Sequence, residues 1–201
     1  MPTIPTHAFM GYVVASLGSG YVPAERRHSY GVTVMALSVL PDADALFMKW
    51  IPYGNMLGHR GLSHSLVFAG LLALAAVFIL RDVRRNFPGG VWGLFGLFWI
   101  AFAMHGVLDA LTNGGLGVGF FIPFDNSRFF FPIHPIPVSP IGIGTLLHLW
   151  WSIECFAAEF LMLWTIGLGV IILARGRFRY RSAVSAILIL IGIVSWISRI
   201  F

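Results

Sequence analysis

The segment Gly58–Ser65 (GHRGLSHS) carries two histidines and an arginine directly before an apolar run that begins at Leu66. Charged and titratable groups are costly beside hydrocarbon, so groups in this position need a partner or a function. Histidine nitrogens are common metal ligands. His64 is the better candidate ligand, because His59 falls in the loop that enters the next helix. We expect His59 to act as a proton donor or as an additional ligand.

Arg60 suits a different task from its histidine neighbours. A guanidinium binds phosphate or carboxylate as a two-pronged donor, so Arg60 is expected to bind a substrate anion. An ion pair with Asp42 or Asp44 is the alternative. Arg128, in a long loop rich in Gly, Pro and Phe (residues 112–144), is a second candidate for substrate binding. A loop of that length usually serves function or folds over a site.

His105 and Asp109 form an H-x-x-x-D pair. On a helix, residues four apart lie on one face with their Cβ atoms about 6 Å apart. An imidazole and a carboxylate so placed can bind one divalent metal. A His–Asp hydrogen bond inside a helix bundle explains this pair equally well when it is taken alone.

The motif Pro41–Asp44 (PDAD) places two carboxylates at the end of an apolar stretch. Acids near lipid tend to be neutralised by a partner or a cation, so at least one of Asp42 and Asp44 is expected to be a ligand. A solvated helix end or a helix cap is the alternative. His7 and Glu154 are solitary polar residues, which are usually structural; they become candidates because they fall at the same end of the predicted bundle as the others.

The candidates are all nitrogen and oxygen donors, which suit zinc, manganese or iron. The single cysteine, Cys155, excludes an internal disulfide and a cysteine-based zinc cluster. The candidates outnumber the ligands of one tetrahedral site, so two or more metals that share Asp109 are predicted. Paired metals about 3.5–4 Å apart activate a water in hydrolytic sites. The predicted metal ligands are His7, Asp42, Asp44, His64, His105, Asp109 and Glu154.

Apolar helices must position these side chains. Of the 201 residues, 58% are hydrophobic and 10% are charged, whereas a soluble domain carries about 25% charged residues. The composition predicts an all-α membrane protein, a polytopic helical bundle that forms a single domain over residues 1–201. Six helices are expected, at about His7–Tyr21, Ser29–Leu40, Ser63–Leu80, Val91–Leu111, Thr145–Ala174 and Ala183–Ile200. The first two are short for a full span of about 20 residues.

The arginines predict the orientation of the bundle. Nine of the 13 basic residues fall in the turns between helices 1–2, 3–4 and 5–6, which all lie on one side: Arg26, Arg27, Arg81, Arg84, Arg85, Arg175, Arg177, Arg179 and Arg181. Positive charge in short loops marks the cytoplasmic side. The candidate ligands fall at the opposite helix ends, so an extracytoplasmic site is expected. This placement explains the basic excess without a nucleic-acid partner.

Five runs of the sequence, PTHAFMG, LPDAD, GHRGLSHS, HGVLDALTNGG and RFFFPIHP, resemble the YdjM-type family of inner-membrane-associated, metal-dependent hydrolases. The resemblance extends from His7 to about Glu154. It implies a metal-binding hydrolase of the inner membrane.

The order His, Asp, His, H-x-x-x-D, Glu also resembles, more distantly, zinc-dependent phospholipase C and the single-strand-specific zinc nucleases. That resemblance implies a phospholipase C-like core with three zinc ions, bridged by Asp109. Its ligands would be His7, Asp42 or Asp44, His64, His105, Asp109 and Glu154. Two histidines of those enzymes are missing here: Trp150 stands at one position and Thr112–Gly115 (TNGG) at the other. We therefore expect two metals.

The predicted function is a membrane-embedded hydrolase that cleaves a phosphoester of a lipid or lipid-linked substrate with a metal-activated water. Arg60 and Arg128 would stabilise the developing charge, and His59 would protonate the leaving group. An amphiphile with a carboxyl ester or amide would fit almost as well.

The alternative is a metal transporter or metal sensor without hydrolytic activity. Transport usually needs polar groups along a path at mid-membrane, whereas the candidates cluster at one end. A scaffold with a structural metal would leave no open coordination position. The H-E-x-x-H motif of an intramembrane metalloprotease is absent from the sequence.

Overall fold

The computed structural model describes residues 1–140, 149–175 and 179–200, and these residues fold into helices and connecting loops. Among them the structure has no β-strand, only two isolated bridges, Thr112–Ile136 and Val118–Phe129. The helices are α1 (Ile4–Ser16), α2 (Arg27–Val39), α3 (Leu66–Ile79), α4 (Gly90–Ala110), α5 (Leu149–Arg175) and α6 (Arg181–Ile200). A 3-10 segment, Leu40–Phe47, continues α2, and a π-helical stretch, Phe160–Trp164, interrupts α5. The predicted helical class and the order of six helices are confirmed for the described residues; residues 145–148 of the expected fifth helix lie outside them.

Four segments are long and apolar enough to cross a membrane: Ala24–Phe47, Gly90–Ala110, Leu149–Arg175 and Arg181–Ile200. Apolar side chains point outward from the bundle; Phe78 on α3 and Trp92 on α4 are each 77% exposed. Such a surface suits lipid rather than water. Of the six expected apolar helices, four are thus long enough to span a membrane among the described residues, whereas α1 and α3 have only 13 and 14 residues.

Two helices begin at positions other than those predicted. α1 begins at Ile4 with Pro5 in its first turn, a favoured position for proline, so His7 lies one turn inside the helix. α3 begins at Leu66 rather than Ser63, because Ser65 caps it by accepting a hydrogen bond from the Phe68 amide. His64 consequently lies in the short 3-10 turn before the helix.

The start of α1 packs closely on the end of α2. A Cβ atom on Gly11 would lie 1.9 Å from the Ser38 hydroxyl oxygen, so only glycine allows the two helices to approach this closely. Small residues at helix contacts are typical of membrane bundles. This contact brings the first turn of α1, with His7, beside the 3-10 segment that holds Asp42.

The alternating direction of α1–α4 separates the bundle into two ends. The start of α1, the end of α2, the start of α3 and the end of α4 share one end. At the other end, Arg26 in the α1–α2 turn pairs with Asp82 in the α3–α4 turn at 2.7 Å. The prediction that these two arginine-rich turns lie on one side is confirmed.

The described part of the long loop, residues 112–140, covers the first of these ends. Backbone amides of Gly119 and Phe131 donate to the carbonyls of Arg60 and Ala110, at 2.9 and 3.0 Å. The Leu66 amide donates to the Phe120 carbonyl at 3.0 Å. The loop therefore excludes water from the side chains that converge beneath it.

Candidate metal centre

Seven polar side chains converge, buried, at the loop-covered end of the bundle. His105 and Asp109 come from the last two turns of α4, and Asp109 is 0% exposed. α1 contributes His7, the 3-10 segment after α2 contributes Asp42, and the loop before α3 contributes the rest. The buried set is His7, Asp42, His59, Arg60, His64, His105 and Asp109.

The H-x-x-x-D pair presents both side chains to this centre. The His105 Nδ1 atom lies 2.7 Å from the Ser38 carbonyl oxygen, which can only accept, so Nδ1 carries the proton. The Nε2 lone pair of His105 therefore faces the cluster, as in metal-ligating histidines whose other nitrogen donates to an outer acceptor. A Cβ atom at Gly106 would lie 2.9 Å from the His64 carbonyl oxygen, so glycine allows α4 to approach the His64 turn.

One group of four residues, His7, Asp42, His105 and Asp109, offers donor atoms that all lie within 4.8 Å of one another. The His7 Nε2 atom is 3.5 Å from Asp109 Oδ1, and the His105 Nε2 atom is 3.3 Å from Asp42 Oδ1. In a tetrahedral zinc site with bonds of about 2.0–2.2 Å, neighbouring donors lie roughly 3.3–3.6 Å apart. These two distances match that spacing, and the His7 Nε2–Asp42 Oδ2 distance is longer, at 4.0 Å, so the four residues could hold one cation after small shifts.

A second group, Asp42, His59 and His64, meets the same 4.8 Å criterion. The His64 Nε2 atom lies 3.5 Å from Asp42 Oδ1 and 3.1 Å from Asp109 Oδ2, so this group adjoins the first. Asp42 belongs to both groups, and Asp109 lies next to His7 of the first group and His64 of the second. Either carboxylate could be shared by two cations, so the predicted bridging role of Asp109 stays a prediction.

Several of these atoms have no hydrogen-bond partner although they are fully buried: both oxygens of Asp42 and of Asp109, both ring nitrogens of His7, and Nε2 of His59. Leaving a buried donor or acceptor unpaired costs about 1–3 kcal/mol. With neutral histidines, three carboxylates (Asp42, Asp44, Asp109) and one guanidinium (Arg60) give the cluster a net charge of −2. A bound divalent cation would satisfy both the unpaired atoms and the charge.

A family model described as YdjM inner membrane protein matches residues 1–198. The chain belongs to the YdjM family. It is 39% identical over 146 residues to inner membrane protein YbcI of Escherichia coli (strain K12), an alignment that covers 72% of this chain and 80% of YbcI. No solved structure matches the chain. The predicted family and the inner-membrane location are thus confirmed, whereas the phospholipase C-like core stays a prediction.

Asp44 has different contacts from Asp42 in the candidate metal centre. One of its oxygens lies 2.6 Å from His59 Nδ1, and the other accepts from the Ser63 hydroxyl and lies 3.3 Å from His64 Nδ1. Asp44 belongs to neither donor group. Asp42 is therefore the candidate ligand of the pair. Asp44 contacts Nδ1 of both His59 and His64 and orients their rings.

Arg60 is placed differently from the prediction. Its guanidinium is 1% exposed, and Nε lies 3.4 Å from Asp109 Oδ2. The terminal nitrogens donate to the Gly114 carbonyl at 2.8 Å and to the Thr112 hydroxyl at 3.0 Å. A left-handed backbone (φ +61°) turns the side chain inward. Arg60 therefore supports Asp109 rather than standing open to a substrate anion, and its carboxylate partner is neither Asp42 nor Asp44.

Arg128 does not point into the centre either. Its guanidinium donates to the backbone carbonyls of His59, Tyr53 and Asn55, at 3.2, 3.3 and 2.8 Å. These bonds fasten the long loop to the segment that carries His59. The structure thus shows a positioning role for Arg128, and its role in substrate binding stays a prediction.

Glu154, one of the predicted metal ligands, lies outside the candidate metal centre. It is exposed and lines a separate pocket of about 260 Å³ with Ser195 and Arg199. On the same helix Glu159 is buried, and it accepts hydrogen bonds from the hydroxyls of Thr3 and Thr6, each at 2.5 Å. Five residues along a helix correspond to a rotation of about 140°, so the inward Glu159 turns Glu154 outward. Glu154 is therefore left out of the candidate ligands.

Two outer residues of the site were missed. The Ser38 carbonyl fixes the His105 ring, and the Ser63 hydroxyl lies 2.9 Å from His64 Nδ1 while donating to Asp44. No sequence pattern marks a backbone carbonyl as a partner. Ser63 does stand beside His64, and that adjacency was the available signal.

Proposed function

We propose that this chain is a metal-dependent hydrolase of the inner membrane that cleaves a phosphoester of a lipid or lipid-linked substrate. The observation that supports this proposal best is the convergence of unpaired, buried nitrogens and oxygens of His7, Asp42 and Asp109 beside Nε2 of His105. A purely structural hydrogen-bond network would pair those atoms. Nitrogen and oxygen donors of this kind suit zinc, manganese or iron.

One or two such cations would supply an activated water and would stabilise charge on the phosphoryl oxygens. The residues of the chain set up the rest of the reaction. Asp42 would hold a cation with the first donor group and could share a second one with His64, while His59 would stay free of metal as the proton donor. Arg60 would hold Asp109 in place. Asp44 fixes the His59 ring through Nδ1 and leaves Nε2, which is buried and has no hydrogen-bond partner, available to carry a proton.

In the proposed reaction a water that has released one proton to solvent forms a bond from its oxygen to phosphorus, and the ester P–O bond breaks. The leaving oxygen takes a proton, which we assign to Nε2 of His59; Asp44 stabilises the imidazolium before transfer. We further propose that the site faces the extracytoplasmic side, since the arginine-rich turns lie at the opposite end of the bundle.

The test is turnover by the purified full-length chain in detergent. Metal per chain is measured first, and the protein is then incubated with phospholipids and polyprenyl phosphates. We expect release of phosphate or of a phosphorylated headgroup, lost at least a hundredfold in His105→Ala. The matched control is His134→Ala, an exposed histidine of the long loop outside both donor groups. Metal bound at the centre without turnover of any ester would overturn the proposal in favour of a transporter or sensor.

A further inference from the structure

A cavity of about 570 Å³ lies against the candidate metal centre, between the start of α1, the 3-10 segment after α2, and α5. Its lining includes Ile4, Asp42, Ala45, Leu46 and Phe156. Its volume falls within the range of small-molecule sites, about 300–1,000 Å³. Among the described residues that line it, Asp42 carries the only ionisable side chain, while Thr3, Ser139 and Ser152 add hydroxyls and Met1 adds its amino group. The cavity is thus a mostly apolar chamber with one carboxylate of the metal centre in its wall.

The rim of the cavity is apolar as well. Ile4, Leu46 and Phe156 are 52%, 73% and 42% exposed. In an inner membrane protein, exposed apolar side chains on this scale contact hydrocarbon rather than water. A charged, water-soluble ligand would gain nothing from such a wall, because apolar surface stabilises a ligand only by removing apolar groups from water. The chemistry of the cavity therefore selects the apolar part of an amphiphile.

We propose that this cavity holds a hydrocarbon chain of a membrane lipid, whose polar headgroup then lies at Asp42. The proposal rests on the proposed function for the fate of the headgroup, but the chain-binding step does not need turnover. It narrows the substrate class: a lipid phosphoester with a long alkyl or isoprenoid chain is bound, and a soluble phosphomonoester is not.

Ala45 is the residue that tests the cavity most directly. Its methyl group is half-buried in the lining, three residues from Asp42, so a larger side chain there fills the chamber without removing a donor of the metal centre. Ala75 on α3 provides the matched control. It is exposed, lies in an apolar helix and is not part of the lining.

The experiment is photo-crosslinking with a phospholipid that carries a diazirine at the end of one acyl chain. The full-length chain is placed in vesicles of phosphatidylethanolamine and phosphatidylglycerol with a chelator present, so that no turnover occurs. Labelled positions are mapped by mass spectrometry. We expect labels on the segments around Ile4, Ala45 and Phe156, reduced at least fivefold in Ala45→Trp and unchanged in Ala75→Trp.

A smaller substitution at Ala45 distinguishes filling of the cavity from loss of folding. Ala45→Leu should give intermediate labelling, and the thermal unfolding midpoint of each variant identifies any misfolded sample. Equal labelling of wild type and Ala45→Leu or Ala45→Trp, or labels confined to the outer faces of α3 and α6, overturns the inference even if esters are hydrolysed. Labelling that Ala45→Trp blocks, combined with no hydrolysis of any ester, upholds the inference and overturns the proposed function instead.

Discussion

The Nε2 atoms of His64 and His105 lie 3.1 Å apart beneath the long loop. Nδ1 of His105 donates to the Ser38 carbonyl. The Ser63 hydroxyl gives its proton to Asp44, so it accepts from Nδ1 of His64. Both Nε2 atoms therefore present lone pairs to each other when the rings are neutral. Two such lone pairs repel unless a cation lies between them and the nearby carboxylates, which is the arrangement that metal-ligating histidines adopt.

The two aspartates of the PDAD motif should differ in their effect on metal binding. Asp42→Asn removes the carboxylate shared by both donor groups, so we expect metal per chain to fall to near zero. Asp44→Asn removes a carboxylate that only orients His59 and His64, so metal should bind about 10–100-fold more weakly at unchanged stoichiometry. Metal analysis combined with titration calorimetry measures both quantities. Equal losses in the two variants would contradict the assignment of different roles.

Added metal should offset a loss of stability that the metal-free protein shows as the pH rises. Burial alone would lower the pKa of His64, but the neighbouring carboxylates of Asp109, Asp42 and Asp44 stabilise the protonated ring, outweigh burial and raise the pKa well above its ordinary value. In the metal-free protein, protonated His64 therefore stabilises the fold fully below about pH 6.5, the unfolded pKa, and this stabilisation is lost as the pH rises through the higher folded pKa. Cation binding needs neutral His64, so metal affinity rises with pH over the same window.

Thermal unfolding midpoints measured with zinc and with a chelator test this expectation. The difference between the two should widen from about pH 6 to pH 9, because the metal-free midpoint falls while metal binding strengthens. His64→Gln should flatten the trend of the metal-free protein, and His134→Ala should leave it unchanged. A constant difference over that range would show that no cation competes with protons at His64.

The sequence predicts which residues form the centre better than it predicts what each does. His7, His64, His105 and Asp109 are found because helix ends at one side of a bundle must bring them together, and the i, i+4 spacing fixes one pair. Asp42 and Asp44 could not be distinguished, because the choice depends on the 3-10 geometry of Leu40–Phe47.

The side-chain directions of Arg60 and Glu154 could not be predicted from local sequence patterns. The inward turn of Arg60 depends on a left-handed backbone that non-glycine residues rarely adopt, so no propensity predicts it. The outward direction of Glu154 follows from the rotation of α5, which is set by the hydrogen bonds of Glu159 to Thr3 and Thr6, more than 150 residues away along the chain. Long-range contacts of this kind leave no signal in a single sequence.

Removing the buried guanidinium of Arg60 should destabilise the fold. Arg60→Met leaves Asp109 without its guanidinium, and breaking a buried ion pair from one side costs about 3–5 kcal/mol. Thermal unfolding of the metal-free protein should show this loss, and it should be smaller in the double variant Arg60→Met/Asp109→Asn, where the carboxylate that loses its guanidinium is neutral as well. Arg81→Met, at an exposed arginine, should change stability by less than about 0.5 kcal/mol. An additive double variant would contradict a direct Arg60–Asp109 interaction.

The side of the membrane on which the centre opens can be measured with single cysteines. In a Cys155→Ala background, Asn126→Cys places a thiol on the exposed loop over the centre, and Arg84→Cys places one in an arginine-rich turn at the other end of the bundle. Because basic turns stay in the cytoplasm, a membrane-impermeant maleimide should label Asn126→Cys in intact spheroplasts and should label Arg84→Cys only after lysis. The opposite pattern would place the centre on the cytoplasmic side and would require a substrate from the inner leaflet.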